Sequence, residues 1–376
     1  MNNEIVILGI LREVRIDENR TPFSPAQVSS VLNKFSNIKI IVQPSNRRCF
    51  KDEEYQNAGA QITDDLSSAN IIFGVKEVDI SALIEGKTYL FFSHTSKVHQ
   101  YIGQTIKDEA IIYKKELLRE VIKKKITLID YENIREVSGE GYRYLGFGRF
   151  AGIVGAYNTL NLYLKLYNKK PLSRVYEINN YKEIKKLISK QNFNKIKILL
   201  TGSGRASKGA IELLKQANIK QVSINDYLSK KYDEAIFANI SIRKHIEKKA
   251  GKDISKVKNY LLKTDIFIAC HYWEPKFPKL FYPNQINEFK NLKVIGDITC
   301  DINGSIPTTI RSTSIAKPYY SIDINTMKEI DLSDNKGIAV MAVDNLPSEL
   351  PRDAMKKPVK VAGINKSDMK PQKPLN

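Results

Sequence analysis

Four residues in the first part of the chain stand where reactive groups often stand, at or after the ends of strand-like runs. Ile71-Ile72-Phe73-Gly74-Val75 leads to Lys76, Tyr89-Leu90-Phe91-Phe92-Ser93 to His94, and Thr127-Leu128-Ile129-Asp130-Tyr131 to Glu132. Arg20 follows the first strand, in the loop before Ser24. An amine, an imidazole and a carboxylate can pass protons, and a guanidinium can hold an anion. Singly, each has an ordinary reading: Lys76 as a solvated strand end, His94 as a satisfied buried imidazole, Glu132 as an ion-pair partner. Their recurrence in one stretch points to a site.

A second chemical signature lies in mid-chain. Thr201-Gly202-Ser203-Gly204-Arg205-Ala206-Ser207-Lys208-Gly209-Ala210 follows a strand-like run, 195–200, and opens a helix-like one, 211–216. Gly202 allows a tight turn, and Gly204 lets backbone approach a pyrophosphate with no Cβ in the way. Ser203 and Arg205 flank it, and the helix N-terminus offers free N–H groups and a positive dipole end. The spacing predicts an acidic residue about 20 residues on, at the end of the next strand, to hold the ribose hydroxyls. Asp226 fits. A carboxylate there repels a 2′-phosphate, so the cofactor reads as NAD, with NADP left open. Ser207 occupies the place of the third glycine, and the next glycine is Gly209.

The elements that position these residues follow from length and patterning. A chain of 376 residues exceeds what one core usually serves, so two domains are expected. Hydrophobic residues make up 42%, enough for globular cores, and no apolar run approaches the roughly 20 residues that span a bilayer. Glu4 precedes the first short apolar stretch and there is no basic leader, so residues 5–10 read as a strand and not as a signal peptide. Cys49, Cys270 and Cys300 show no paired spacing, which fits a reducing cytoplasm and argues against zinc. The four histidines form no metal-ligand pattern either, although His94 and His99 lie close in sequence. The formal charge of +19 comes from lysines scattered through helix-like segments without aromatic interleaving, so no nucleic-acid partner is expected.

Apolar runs alternate with amphipathic stretches throughout, which predicts an α/β protein. Strands are expected at 5–10, 38–43, 70–75, 89–93 and 126–130, with a helix behind the Ser24-Pro25 cap. Residues 150–167 read as a long connecting helix. Further strands are expected at 195–200, 221–225, 265–270 and 292–295, with a long charged helix over 241–262. The runs at 319–324 and 337–343 are expected to return to the first domain. The fold read from this is two Rossmann-like doubly wound domains with an active-site cleft between them, where polar strand ends meet ligand. The first comprises 1–149 plus 315–354 and carries the substrate chemistry; the second, 150–314, holds the dinucleotide. Residues 355–376, rich in Lys and Pro, read as a disordered tail.

With these residues in place, the chain resembles the saccharopine dehydrogenase (L-lysine-forming) and lysine-ketoglutarate reductase family, itself related to alanine dehydrogenase and the transhydrogenase N-terminal domain. The matching segments are Arg12-Glu13, Asn19-Arg20-Thr21-Pro22-Phe23-Ser24-Pro25, Gln43-Pro44-Ser45-Asn46-Arg47-Arg48, Gly74-Val75-Lys76 and Phe91-Phe92-Ser93-His94-Thr95. They continue through Leu128-Ile129-Asp130-Tyr131-Glu132, Phe147-Gly148-Arg149-Phe150-Ala151-Gly152, Tyr272-Trp273-Glu274, Gly296-Asp297-Ile298-Thr299-Cys300-Asp301 and Asp344-Asn345-Leu346-Pro347.

The resemblance implies a nicotinamide-dependent interconversion of saccharopine with L-lysine and 2-oxoglutarate through an imine. It implies Lys76 as general base, His94 as second acid/base and Glu132 as a carboxylate that tunes the lysine. A lysine serves as a base near neutral pH only if burial or positive neighbours lower its pKa, and His94 and Arg20 are candidates for the latter. Arg20 and Arg143 are expected on substrate carboxylates, and Asp297 and Asp301 near the nicotinamide and substrate amine. Arg20, Lys76 and His94 would equally suit an alanine dehydrogenase-like enzyme; Ser93-His94-Thr95 and Asp130-Tyr131-Glu132 favour the lysine branch. A further alternative is a catalytically impaired binding relative, because the sequence after Ala354 departs from the family pattern. Oligomeric state is left open.

Overall fold

The computed structural model describes residues 4–96, 98, 109–135, 143–167, 169–178, 180–249, 252–334 and 337–356. The chain forms two compact units, residues 1–146 with 351–376, and residues 147–350.

The first unit is built on a parallel sheet of β1 (Val6–Ile10), β2 (Ile38–Val42), β3 (Gln61–Ile62), β4 (Ile71–Phe73), β5 (Thr88–Phe91) and β6 (Thr127–Asp130). Its strand order is β3-β2-β1-β4-β5-β6. The chain runs outward from β1 to one edge and then from β4 to the other, so the order reverses between β1 and β4. In such sheets that reversal is where the strand ends leave room for a ligand. Helix α1 (Pro25–Lys34) starts as expected: the Ser24 side chain accepts the Gln27 N–H, the Gln27 side chain accepts the Ser24 N–H, and Pro25 sits at the first helical position. Helices α2 (Asp52–Asn57) and α3 (Glu109–Lys123) complete the connections. Ile72, Tyr89, Phe91 and Leu117 are fully buried on one side of the sheet, Ile10, Val28, Val42 and Tyr55 on the other.

The second unit opens with α4 (Gly148–Leu166), the expected long helix. Fourteen of its 19 residues are buried, as befits a helix apolar on all sides. After α5 (Tyr181–Ser189) come β7 (Lys197–Thr201), α6 (Arg205–Gln216), β8 (Lys220–Gln221), α7 (Ile224–Ser229) and β9 (Ile236–Ile240). A hairpin of β10 (Ile246–Lys249) and β11 (Lys252–Ser255) precedes α8 (Val257–Leu261). The sheet continues with β12 (Ile266–Ala269), β13 (Val294–Asp297), β14 (Tyr319–Ile322), β15 (Glu329–Ile330) and β16 (Ile338–Met341), in the order β15-β14-β16-β13-β12-β7-β9-β8. Helix α4 packs on α6 through glycines. A Cβ at Gly152 would lie 1.8 Å from the Ala206 carbonyl oxygen, and one at Gly209 would lie 2.0 Å from that of Arg149. Gly209 thus provides a close helix–helix approach that a side chain there would block.

Two expectations are corrected. Residues 315–350 do not return to the first unit: β16, buried at every position, pairs in parallel with β13, and β14 runs antiparallel to β16. A four-residue apolar strand needs neighbours on both edges, and the second sheet supplies them. Only α9 (Pro351–Lys356) belongs with the first unit, where Arg352 forks onto Glu54 at 2.9 and 3.1 Å. The expected helix over 241–262 is instead the β10–β11 hairpin followed by α8. The Ala250-Gly251 pair between its strands disfavours a continuous helix there. His99 and residues 357–376 lie outside the described residues.

All three cysteines are free. Among the described residues, no helix is long and apolar enough to cross a membrane, and no three His, Cys, Asp or Glu side chains are grouped as a metal ion requires.

Candidate active site

In the first unit, the loops leaving β1 and β4 bring together charges that are far apart in sequence. Lys76 follows β4 by three residues, and its backbone N–H donates to Glu13 Oε2 at 3.0 Å. Burial lowers the Lys76 pKa first of all, and Arg20 and Arg15 lower it further, while Glu77 and Glu18 oppose them. Among the described residues its ammonium nitrogen has no hydrogen-bond partner. Arg20 therefore acts on Lys76 as expected, through charge. Its guanidinium is 4% exposed and lies bidentate on Glu18, Nε to Oε1 at 2.8 Å and Nη2 to Oε2 at 2.5 Å. Two of its nitrogens are thus directed at Glu18, which leaves less of the fork for a substrate carboxylate than the sequence suggested.

His94 leaves β5, the strand next to β4. It adopts φ +52°, a left-handed conformation that costs a non-glycine residue on the order of 1 kcal/mol. Neighbouring hydrogen bonds hold that turn: Ser93 Oγ donates to Asp130 Oδ2 at 2.5 Å, and the Thr95 N–H donates to Ser93 Oγ at 3.3 Å. His94 Nδ1 lies 2.7 Å from Glu77 Oε1, and because a carboxylate only accepts, Nδ1 carries the hydrogen. Burial raises the Glu77 pKa, but the hydrogen bond and charge of His94 outweigh it and bring the carboxyl down to about 2. The pair leaves the other ring nitrogen of His94 for exchange with a ligand. The carboxylate that pairs with the imidazole and acts on Lys76 is thus Glu77. Glu132, expected in the tuning role, accepts from Arg143 Nη1 at 2.9 Å, and that pair sits at the exit of β6.

In the second unit the glycine turn is built as the sequence predicts. Gly202 has φ +110°, and a Cβ there would come within 2.5 Å of the Cys270 carbonyl oxygen. Gly204 caps α6 with no side chain over the helix end, and nothing lies within 4 Å of where its Cβ would be. Ser203 and Arg205 are exposed beside it. That open approach to unsatisfied helix N–H groups fits a dinucleotide pyrophosphate. His271, which sequence reasoning did not single out, supports the turn from beneath. Its Nδ1 meets Thr201 Oγ1 at 2.9 Å and its Nε2 meets Ser305 Oγ at 2.8 Å. Burial depresses its pKa to about 4, so it is a neutral strut.

Asp226 is not at the end of the strand beside this turn. The strand bonded to β7 is β9, and β8 lies beyond it at the sheet edge. Asp226 sits in the first turn of α7, its N–H bonded to Ser223 Oγ and its carboxylate paired with Lys230 at 2.9 Å. The strand end that does flank the turn is that of β9, whose Ile240 carbonyl accepts the Gly202 N–H at 2.8 Å. Ser241, Arg243 and Lys244 follow it, the last two exposed. Asp297 is also corrected. It is wholly buried, with Oδ1 accepting from Thr299 and the Cys300 N–H and Oδ2 from Thr309, so its carboxylate is engaged in holding its own loop. Asp301, four residues on, is partly exposed.

Glu13, Glu18 and Glu77 were missed as site residues. Glu77 was adjacent to Lys76 in sequence, and Glu13 and Glu18 surround Arg15 in the loop before Arg20. The proximity of these two loops is set by strand pairing.

Residues 9–153 match the family described as alanine dehydrogenase/PNT, N-terminal domain. The chain is 28% identical to an alpha-aminoadipic semialdehyde synthase of Arabidopsis thaliana over 93% of its own length, and spans 37% of that longer protein. It is 28% identical to the saccharopine dehydrogenase [NAD(+), L-lysine-forming] of Candida glabrata, covering 93% of this chain and 88% of that one. Among solved structures it superposes on an L-alanine dehydrogenase with a TM-score of 0.57 at 14% identity, over 93% of this chain and 86% of that one. The sequence relatives thus carry the names that the motif resemblance implied, and the structural likeness bears out the α/β fold.

Proposed function

We propose that this chain interconverts saccharopine with L-lysine and 2-oxoglutarate by reversible hydride transfer with a nicotinamide dinucleotide. The observation that carries this is Lys76 at the reversal point of the first sheet, with a lowered pKa and a free amine, next to the His94–Glu77 pair. The relatives named saccharopine dehydrogenase support it.

A bound nicotinamide would take the hydride from the carbon bearing the secondary amine of saccharopine. Lys76, unprotonated, takes the proton from that amine, leaving an imine. Lys76 then gives that proton up to solvent, takes one from the water that adds to the imine carbon and returns it to the nitrogen, which makes the carbinolamine. His94, oriented by Glu77, protonates the departing amine and takes the hydroxyl proton of the carbinolamine as it collapses to 2-oxoglutarate and L-lysine. Arg143, 44% exposed and anchored by Glu132, is the proposed partner of a substrate carboxylate, a role that its exposure supports. Activity should rise with pH as Lys76 loses its proton.

For the cofactor, the ground for NAD was Asp226, and it is weakened by the strand order. Two strand spacings put the end of β8 about 10 Å to the side of β7. Ser241, Arg243 and Lys244 at the end of β9 would instead favour a 2′-phosphate, so NADP is the proposed cofactor. The three free cysteines support the reducing cytoplasm as the compartment.

The test is the formation of reduced nicotinamide with saccharopine and NADP, against NAD and against L-alanine. Turnover of L-alanine but not of saccharopine would overturn the reading in favour of the alanine dehydrogenase alternative. Lys76→Met should lower kcat by about 100-fold or more while nucleotide affinity stays unchanged.

A further inference from the structure

The β1–β4 ladder continues beyond its last strand pair by way of a side chain. Backbone pairing ends with the Leu11 N–H bonded to the Phe73 carbonyl at 2.9 Å. From there the chain leaving β1 supplies a carboxylate: Glu13 Oε1 accepts the Val75 N–H at 2.6 Å and Oε2 accepts the Lys76 N–H at 3.0 Å. Gly74, between the last strand pair and these two amides, lies beside the carboxylate: its Cβ position is 3.6 Å from Oε1, an ordinary contact distance. Glu13 is itself fixed from behind, its carbonyl accepting from Arg47 Nη2 at 3.2 Å. Both oxygens thus grip consecutive N–H groups of the loop that carries Lys76, while the Lys76 amine makes no bond of its own among the described residues.

We infer that Glu13 is a positioning residue for Lys76, gripping the Val75–Lys76 backbone with both oxygens only while its carboxyl is ionised. A neutral carboxyl keeps one strong acceptor, its carbonyl oxygen, while its hydroxyl oxygen accepts only weakly, so one of the two N–H bonds is weakened and the charge assistance to both is lost. This inference rests on the role of Lys76 proposed above. The other ionisable groups around Glu13 are Glu18 and Arg20 from its own loop, Arg47 on its carbonyl, Lys76 from the exit of β4 and Tyr131 from the exit of β6. Glu18 and Arg20 largely cancel as a closed ion pair, and burial keeps Tyr131 un-ionised. Burial dominates over the two backbone hydrogen bonds and brings the Glu13 carboxyl up to about 7, so the grip loosens within the neutral range.

Two measurements decide it. In the wild-type protein, the amide proton shifts of Val75 and Lys76 should titrate together near neutral pH; in Glu13→Gln both amides should lose that titration. Shifts that stay flat across the neutral range in the wild type overturn the inference, whether or not saccharopine is the substrate. In the saccharopine assay, Glu13→Gln should lower kcat by about tenfold to a hundredfold with KM changed less than threefold, because misplacing a reacting group by an ångström has effects of that size. The acid limb of its pH profile should lose the ionisation near neutrality, and Glu13→Asp should restore part of the rate. In a Lys76→Met background, Glu13→Gln should add no further loss. An equal loss in both backgrounds would show that Glu13 acts on folding and not through Lys76, and overturn the inference.

Discussion

The two sheets reverse their strand order in similar ways but finish the reversal with opposite materials. In the first unit the exits of β1 and β4 carry Glu13, Arg15, Glu18, Arg20, Lys76 and Glu77, charged groups whose pKa values push on one another. In the second, the exit of β7 carries Gly202 and Gly204, and its neighbours are the hydroxyls of Thr201 and Ser305 with a neutral His271 between them. The first arrangement suits proton transfer, because small environmental changes move its ionisations. The second suits holding a large anion with backbone N–H groups, which do not titrate. The buried carboxylate of the second unit at this end, Asp297, is closed off by its own loop.

The largest test of this contrast is steric. Gly152→Ala should cost the second unit several kcal/mol, seen as a collapse of melting temperature or of soluble yield, because its Cβ would overlap the Ala206 carbonyl in a rigid helix pair. Gly204→Ala, two residues before that contact but with open space around its Cβ position, should leave the melting temperature nearly unchanged and weaken nucleotide binding by about tenfold, read by fluorescence titration. If both substitutions acted on stability alone, the glycine turn would be no cradle.

An intermediate effect concerns pH. Each unit buries one glutamate raised by burial to about 7, Glu13 in the first and Glu349 in the second, the latter against Arg174 and Asn158. Folded pKa values above the ordinary glutamate value of 4.5 mean that the native state binds more protons than the unfolded one between those limits. Their contribution to stability is therefore fully present below about 4.5 and falls as pH rises through about 7. Melting temperature should decline over that window, and Glu349→Gln should flatten the decline while leaving the neutral titration of the Val75 and Lys76 amides in place. The smallest effect is electrostatic: Arg243→Ala should weaken NADPH binding about tenfold with little change for NADH, and Asp226→Ala should change either by less than about twofold.

Strands were legible in the sequence wherever Val, Ile, Leu and Phe predominate in a short run, as in β1, β2, β7, β12 and β16. Where they paired was not. Residues 337–343 read correctly as a strand and were assigned to the wrong sheet, because an apolar run states that it needs neighbours without stating which. Asp226 failed for a related reason: its spacing from the glycines was right, but the motif assumes that β8 lies against β7, and here β9 takes that place. Lys76 and His94 were legible as strand ends. Glu13 was not, because it meets Lys76 across 63 residues through the β1–β4 ladder, a contact no local pattern records.

The largely buried helix α4 also sets an order of events in synthesis. It is made near residue 150, yet it packs against β13 and β16, which end at residues 297 and 341. A nascent chain must therefore carry 19 largely apolar helical residues uncovered while nearly two hundred more are translated. Over that interval the emerging protein presents chaperones with one strong, well-defined hydrophobic segment, and a chain halted anywhere before β16 exposes the same segment as a ready mark for degradation.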